Sequence, residues 1–132
     1  MPARPYRFRP SQVSEVLRFW RATINSWNGL IFAVRSEQAI REELFALLLA
    51  LPLAWIVGTT AVRRAELVGV VLLLLAVELL NTAIEKLADR LTTDRDPQIG
   101  HVKDMGSAAV GVVLLIIGLV WGIAIAERIG VL

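Results

Sequence analysis

The chain has 132 residues, of which 56% are apolar, and the apolar residues come in long runs. This length allows one domain at most, and the apolar share exceeds what a soluble domain of this size normally carries. A formal net charge of +2 is too small to indicate a nucleic-acid partner, and the absence of cysteine excludes disulfide and zinc-thiolate chemistry. The composition therefore favours an integral membrane protein.

The N-terminal segment is predicted to lie at the membrane surface. Residues 1–10 contain three prolines and three arginines, which is typical of a flexible cytoplasmic tail. Ser11 can then cap a helix over about 11–28, where apolar residues recur at three- and four-residue steps. Tryptophans and arginines on an amphipathic helix suit the boundary between lipid and water, although a packed helix of a soluble domain would show the same pattern.

Three apolar stretches predict three transmembrane helices. The first span is expected over about 37–57, where a charged segment runs into the apolar run Leu44–Val57. That run alone is short for a hydrocarbon core of about 30 Å, so the helix should begin earlier, with its charged turns at the interface. A loop over 58–66 leads to a second span over about 67–85, and a hydrophilic connection leads to a third over about 104–126. The third span is rich in glycine and alanine, which permits close approach of neighbouring helices.

The lysines and arginines predict the orientation of these spans. Residues 1–43 contain seven of them and the second connection contains four, whereas the first loop contains two and the C-terminal segment one. Because basic loops stay on the cytoplasmic side, the N-terminus and the second connection should face the cytoplasm. Arg63 and Arg64 in the first loop weaken this pattern without reversing it. Residues 11–132 are thus interpreted as one all-α membrane domain.

A graded set of polar residues within the second span is the strongest functional signal. An ionisable residue inside an apolar helix is costly and marks a functional site by default, although a carboxyl that only hydrogen-bonds a neighbouring helix is the alternative. Helical spacing of three, four, seven and eleven places five residues on one face that descends toward the cytoplasm. They are Glu78, Asn81, Thr82, Glu85 and Asp89.

Polar groups of the other two spans are predicted to meet this face. Glu37 and Arg41 lie at the cytoplasmic end of the first span, and Lys103, Asp104 and Ser107 lie at the start of the third. Paired carboxylates can hold Mg²⁺, basic side chains can hold phosphates, and a deeper carboxylate can act as a general base. These are the parts of a phosphoryl-transfer site, but the chain lacks the glycine-rich phosphate-binding loops of common nucleotide-binding proteins. A kinase is therefore only one of several options at this point.

Three segments carry a resemblance to a known family. ELLNTAIEKLADR over Glu78–Arg90 and KDMGSAAV over Lys103–Val110 resemble the signatures of the prokaryotic diacylglycerol kinases. EQAIREE over Glu37–Glu43 is similar to a third family segment, with Ile40 in place of the usual phenylalanine. The resemblance covers about residues 15–126, and it implies a small three-span membrane kinase that assembles as a homotrimeric helical bundle in the bacterial inner membrane.

The resemblance also implies roles for individual residues. By resemblance, Glu78 is the catalytic base, Glu37 and Glu85 hold Mg²⁺ with ATP, and Lys103 and Asp104 contact the nucleotide. Further ATP contacts are implied, more loosely, in the surface helix and in the connection before the third span. These are Arg18, Asn25, Asp94, Arg95 and Asp96. Five residues are expected to support the site or bind substrate, namely Arg41, Glu43, Asn81, Asp89 and Ser107.

The leading hypothesis is an ATP-dependent lipid kinase that converts 1,2-diacylglycerol to phosphatidic acid at the cytoplasmic face. The same family includes undecaprenol kinases, and phosphoryl transfer to either lipid would need the same carboxylates. A small transporter with Glu78 as its proton or cation site is a second class. A non-catalytic assembly subunit held by the third span is a third class, but it would not need the polar residues of the second span.

Overall fold

The computed structural model describes residues 12–91 and 96–132, and these parts of the chain are helical with no strand. The helices are α1 (Gln12–Ser36), α2 (Gln38–Val57), α3 (Ala61–Leu91) and α4 (Pro97–Arg128). This confirms the all-α class. The predicted tail over 1–10, the cap Ser11 and the predicted nucleotide contacts Asp94 and Arg95 lie outside the described residues.

The N-terminal helix α1 forms one of two compact units and is described by itself. It continues to Ser36, beyond the surface helix predicted over 11–28, because Gly29 does not interrupt it and the apolar stretch 30–34 extends its apolar face. Glu15 lies in its first turn and Arg35 in its last turn, where both complement the helix dipole. Most of its large apolar side chains are exposed, as in an amphipathic helix that contacts another surface.

The second unit contains α2, α3 and α4, and α3 packs against both of the others. The loop between α2 and α3 is shorter than predicted, because α3 begins at Ala61 and only residues 58–60 remain outside the helices. Gly58 is needed there, since a Cβ atom would lie 2.7 Å from the carbonyl oxygen of Ala54. At the start of α4, the carboxylate of Asp96 accepts a 2.8 Å hydrogen bond from the Gln98 amide, and Pro97 follows at the first helical position.

Among the described residues, α3 and α4 are long and apolar enough to span a membrane. Only 28% of the apolar window of α3 and 11% of that of α4 is buried within the chain, whereas a core helix of a soluble protein would be mostly buried. The helix α2 is not among the helices that are long and apolar enough to span a membrane. Its charged first turns leave Leu44–Val57 as the apolar part, which spans about 21 Å at 1.5 Å per residue. The first span, expected over about 37–57, therefore stays a prediction.

The end of the bundle near the α2–α3 loop is held by a small apolar core. Ala54, Leu67 and Ala124 are almost completely buried there, one from each helix. Trp121 packs against this core, and its indole Nε1 donates a 3.2 Å hydrogen bond to the carbonyl oxygen of Leu67. Small residues at two of the three core positions allow the helices to approach closely.

Two arginines complete the same end of the bundle. The guanidinium of Arg63 forks onto the carboxylate of Glu127 on α4, with Nε donating to Oε2 at 2.9 Å and Nη2 to Oε1. Its remaining Nη1 contacts Glu66 at 2.6 Å. Arg64 donates to the Gly58 carbonyl at 3.0 Å and lies over the ring of Trp55, 4.1 Å from its centroid. These two basic residues are thus engaged in structural contacts within the bundle.

Replacing Arg63 and Glu127 by alanine, singly and together, should show that the two side chains are coupled. We expect the double variant to lose about 0.5–1 kcal/mol less unfolding free energy than the sum of the single losses. Each single variant already breaks the forked pair, so the double variant does not lose that interaction a second time. Titration of the micelle-solubilised protein with a denaturing detergent measures these free energies. The Arg63–Glu66 pair provides a matched cycle and should show a smaller coupling, since it has one contact. Additive losses for Arg63 and Glu127 would contradict the assignment.

Candidate functional site

Polar side chains follow one face of α3 toward its C-terminal end, and we call them the polar stripe. Its members are Glu78, Asn81, Thr82, Glu85 and Asp89. Asn81 and Thr82 are buried, with exposed fractions of 7% and 9%, whereas Glu78 and Glu85 are partly buried and Asp89 is exposed. The polar stripe therefore runs from the interior of the bundle to its surface.

Three carboxylates interact beside the polar stripe, two of its own and one from α2. Glu43 projects from α2, close enough to Glu78 for their charges to repel, and Glu78 is likewise within electrostatic range of Glu85. The Oε2 atom of Glu43 is buried and has no hydrogen-bond partner among the described residues. Like charges and an unsatisfied acceptor are costly in a buried place, so a proton, a cation or a hydrogen-bond donor bound there would be stabilised.

Two ion pairs tie the ends of α2 and α4 to the outer part of α3. Glu37, the residue before α2, accepts from Lys86 with Oε1 and Nζ 2.6 Å apart. On the other side, Lys103 of α4 donates to Oδ1 of Asp89 at 2.8 Å. This hydrogen bond raises the pKa of the Lys103 ammonium, which lies just outside the predicted third span. A cation held in this way can attract phosphate oxygens.

Asn81 connects α3 to α4 at the centre of the polar stripe. Its Nδ2 donates a long hydrogen bond, 3.5 Å, to Oε1 of Glu85 one turn later. Its Oδ1 is buried without a hydrogen-bond partner among the described residues and lies against Gly106 of α4. The Asn81 amide thus separates a carboxylate on its own helix from the backbone of the next helix.

The structure brings many of the predicted site residues together around α3. The residues gathered there are Glu37, Glu43, Glu78, Asn81, Glu85, Asp89 and Lys103. Arg41, Asp104 and Ser107 are exposed, and Asp96 uses its carboxylate to cap α4. Arg18 and Asn25 lie two turns apart on the exposed surface of α1, together with Glu15 and Arg21.

Sequence reasoning missed three features of this site. It did not predict Lys86 as the partner of Glu37, the proximity of Glu43 to Glu78, or the contact between Gly106 and Asn81. The position of Lys86, directly after Glu85 and opposite in charge to Glu37, was an available signal. The other two features depend on how the helices are rotated against each other, which periodicity alone does not fix.

The residues of the site fit a magnesium ion that arrives with a phosphorylated substrate. Among the described residues, no group of three or more acidic, histidine or cysteine side chains converges as a complete metal site. Mg²⁺ is usually bound by one or two carboxylates together with substrate phosphates and several waters, so a full protein cage is not required. Glu85 and Glu37 supply hard oxygen atoms of the right type, at the outer part of the polar stripe.

Comparison with known proteins places this arrangement in context. The family model described as prokaryotic diacylglycerol kinase matches residues 24–125. A diacylglycerol kinase of Haemophilus influenzae is 41% identical over 101 residues, which cover 76% of this chain and 86% of the relative. A diacylglycerol kinase of Escherichia coli K12 is 37% identical, with 86% and 93% covered, and one of Pseudomonas aeruginosa is 39% identical, with 79% and 85% covered. All residues gathered around α3 lie within the matched range.

Proposed function

Because the chain belongs to the prokaryotic diacylglycerol kinase family, we propose that it transfers the γ-phosphate of ATP to the free hydroxyl of 1,2-diacylglycerol. The products are phosphatidic acid and ADP, and the protein is a membrane lipid kinase. The observation that carries this proposal is the polar stripe itself. Carboxylates that begin within an apolar, membrane-length helix and end beside a lysine suit a reaction between a lipid alcohol and a water-soluble nucleotide.

In this proposal Glu78 is the general base. It is the innermost carboxylate of the polar stripe, where the hydroxyl of a membrane lipid would meet it. Glu78 takes the hydroxyl proton while the oxygen attacks the γ-phosphorus, and the bond between that phosphorus and the bridging oxygen of ADP breaks. Glu43, whose Oε2 is an unsatisfied acceptor, would support the site from α2.

The outer part of the polar stripe would hold the nucleotide. Lys103, which is held by its ion pair with Asp89, would neutralise phosphate oxygens, with Asp104 and Ser107 nearby on α4. Glu37 and Glu85 would hold Mg²⁺, which when bound offsets the negative charge of the ATP phosphates. Arg18 and Asn25 of the surface helix, together with residues 94–96, are proposed as further nucleotide contacts on the resemblance alone.

We further propose a multi-pass topology in the inner membrane with the N-terminus in the cytoplasm. Eleven lysines and arginines on the proposed cytoplasmic side against three on the other support it. Arg63 and Arg64 belong to those three, and their contacts with Glu127 and Trp55 give them a structural role there. The helix α2 would complete three spans, with its charged first turns at the interface.

A homotrimer is proposed as the working assembly. The helix α4 exposes leucines and glycines along much of its length, and a Cβ atom at Gly111, Gly118 or Gly122 would meet nothing within 4 Å. Such a surface allows close approach of a second α4 in lipid. An undecaprenol kinase and a transporter are less well supported, since the relatives are named for diacylglycerol and a transporter would not need Lys103 beside the carboxylates.

Purified protein in micelles should consume ATP only when a lipid alcohol is present. We expect diacylglycerol to support turnover at least about tenfold faster than undecaprenol at equal mole fraction, because a preference of about 1.4 kcal/mol already gives this factor. Coupled detection of ADP and chromatography of the lipid product measure the two halves of the reaction. Faster turnover with undecaprenol would reassign the substrate, and ATP consumption that does not depend on any lipid would contradict the proposal.

Glu78→Gln should lower the turnover rate by about 10²–10⁴-fold, because it keeps the size of the side chain and removes the base. Binding of Mg·ATP and the oligomeric state should remain, since no binding role is assigned to Glu78. Glu66→Gln is the matched control, as it makes the same change at the opposite end of α3 and should keep turnover within about twofold of the unchanged protein. Near-normal turnover of Glu78→Gln would refute this mechanism.

Glu85→Gln and Glu37→Gln should each weaken the apparent affinity for magnesium. We expect the Mg²⁺ concentration for half-maximal rate to rise by about 10-fold or more, because each variant removes one charged oxygen ligand. Glu42→Gln, on the exposed side of α2, provides the control and should leave the magnesium dependence unchanged. If both test variants retain the magnesium dependence of the unchanged protein, neither carboxylate holds the ion.

A further inference from the structure

Gly106 on α4 contacts Asn81, and the proposed roles of the base and of the metal ligands do not account for this contact. The three nearest atoms to a Cβ atom built at Gly106 all belong to Asn81. Oδ1 would overlap that Cβ atom, Cγ would lie at 3.4 Å and Cα at 4.0 Å. A hydrogen on the Gly106 Cα therefore points directly at Oδ1 of Asn81, the atom that is buried without a conventional hydrogen-bond donor.

The two sides of the Asn81 amide face different groups. Its Nδ2 points to the carboxylate of Glu85, and its Oδ1 points to the Gly106 Cα. Turning the amide by 180° would place Oδ1 against the carboxylate and Nδ2 against carbon-bound hydrogens. That orientation brings two acceptors together and leaves a buried donor unsatisfied, so the close approach of Gly106 helps to select the orientation that serves Glu85.

We propose that Gly106 is a positioning residue, which acts through the Asn81 amide to hold the Glu85 carboxylate in place for the metal–nucleotide complex. This inference rests on the proposed function of Glu85. Asn81 is 93% buried and adjoins two helices, so a methyl group at position 106 cannot be avoided by a small outward rotation of the amide. Any side chain at position 106 would displace the amide from the position in which it contacts Glu85.

Gly106→Ala is the direct test, with Gly100→Ala as the matched control. A Cβ atom at Gly100, on the same helix, would meet nothing within 4 Å. We expect Gly106→Ala to raise the Mg·ATP concentration for half-maximal rate by about 10- to 100-fold, as for loss of a group that orients a metal ligand, with a smaller effect on the maximal rate. Gly100→Ala should leave both values unchanged. Equal values for the two variants would overturn the inference.

A double variant separates action through Asn81 from a general packing defect. Adding Gly106→Ala to Asn81→Ala should cause no further loss, because Oδ1 and Cγ of Asn81, the two atoms that the methyl group would meet most closely, are gone and the remaining Cα lies at 4.0 Å. If Gly106→Ala alone fails to fold, the double variant should fold. Additive losses, or failure of both variants to fold, would mean that Gly106 acts on something other than Asn81.

A third measurement does not depend on catalysis. The side-chain amide signal of Asn81 in a nitrogen-15 NMR spectrum, assigned by its loss in Asn81→Ala, should move in Gly106→Ala and stay in place in Gly100→Ala. An unmoved signal in Gly106→Ala would overturn the inference even if the enzyme were inactive. If the protein without any substitution showed no lipid-dependent turnover, only the proposed function would be refuted, because the amide signal would still report on the contact between Gly106 and Asn81.

Discussion

Carboxylates set into an apolar helix are the constraint on which the rest of this structure depends. A charged residue at the centre of a membrane helix costs about 2.5–3.5 kcal/mol even on insertion-based scales, so it must face other helices or water. Glu78 and Glu85 impose this requirement on one face of α3, and that face is the one from which Glu43 and Lys103 are reached. The polar stripe therefore explains why α3 is the central helix.

The two ends of the bundle use charge in opposite ways. Around Arg63 the charges are matched, because the guanidinium forks onto Glu127 and also contacts Glu66. Around Glu78 the charges repel, and buried acceptors lack protein donors within the described residues. An assembly subunit would gain nothing from the second arrangement. The same arrangement suits a binding site, because an incoming donor or cation relieves the repulsion and its binding is thereby favoured.

The sequence was sufficient to predict the helices and the face that carries the polar stripe, because both follow from helical periodicity. It was not sufficient to predict the length of α1, since the apolar stretch after Gly29 is compatible with either a continued helix or a break. The first span also stays a prediction, because the apolar part of α2 is shorter than a bilayer core. Within the site, the proximity of Glu43 to Glu78 and the contact of Gly106 with Asn81 depend on the rotation of neighbouring helices, which a single sequence does not encode in its spacing.

The position of Asn81 explains why a neutral amide lies between two acidic residues. Glu78 and Glu85 are seven residues apart, about 10 Å along the helix axis, and Asn81 lies one turn from each. An aspartate there would add a further negative charge to a group that already repels, and a leucine would leave Glu85 without the donor that Nδ2 provides. Asparagine is a short side chain that supplies a neutral donor, but its other end is an acceptor that must also be buried. A glycine on α4 lies against that acceptor, because only a residue without a Cβ atom lets the backbone approach the amide oxygen so closely.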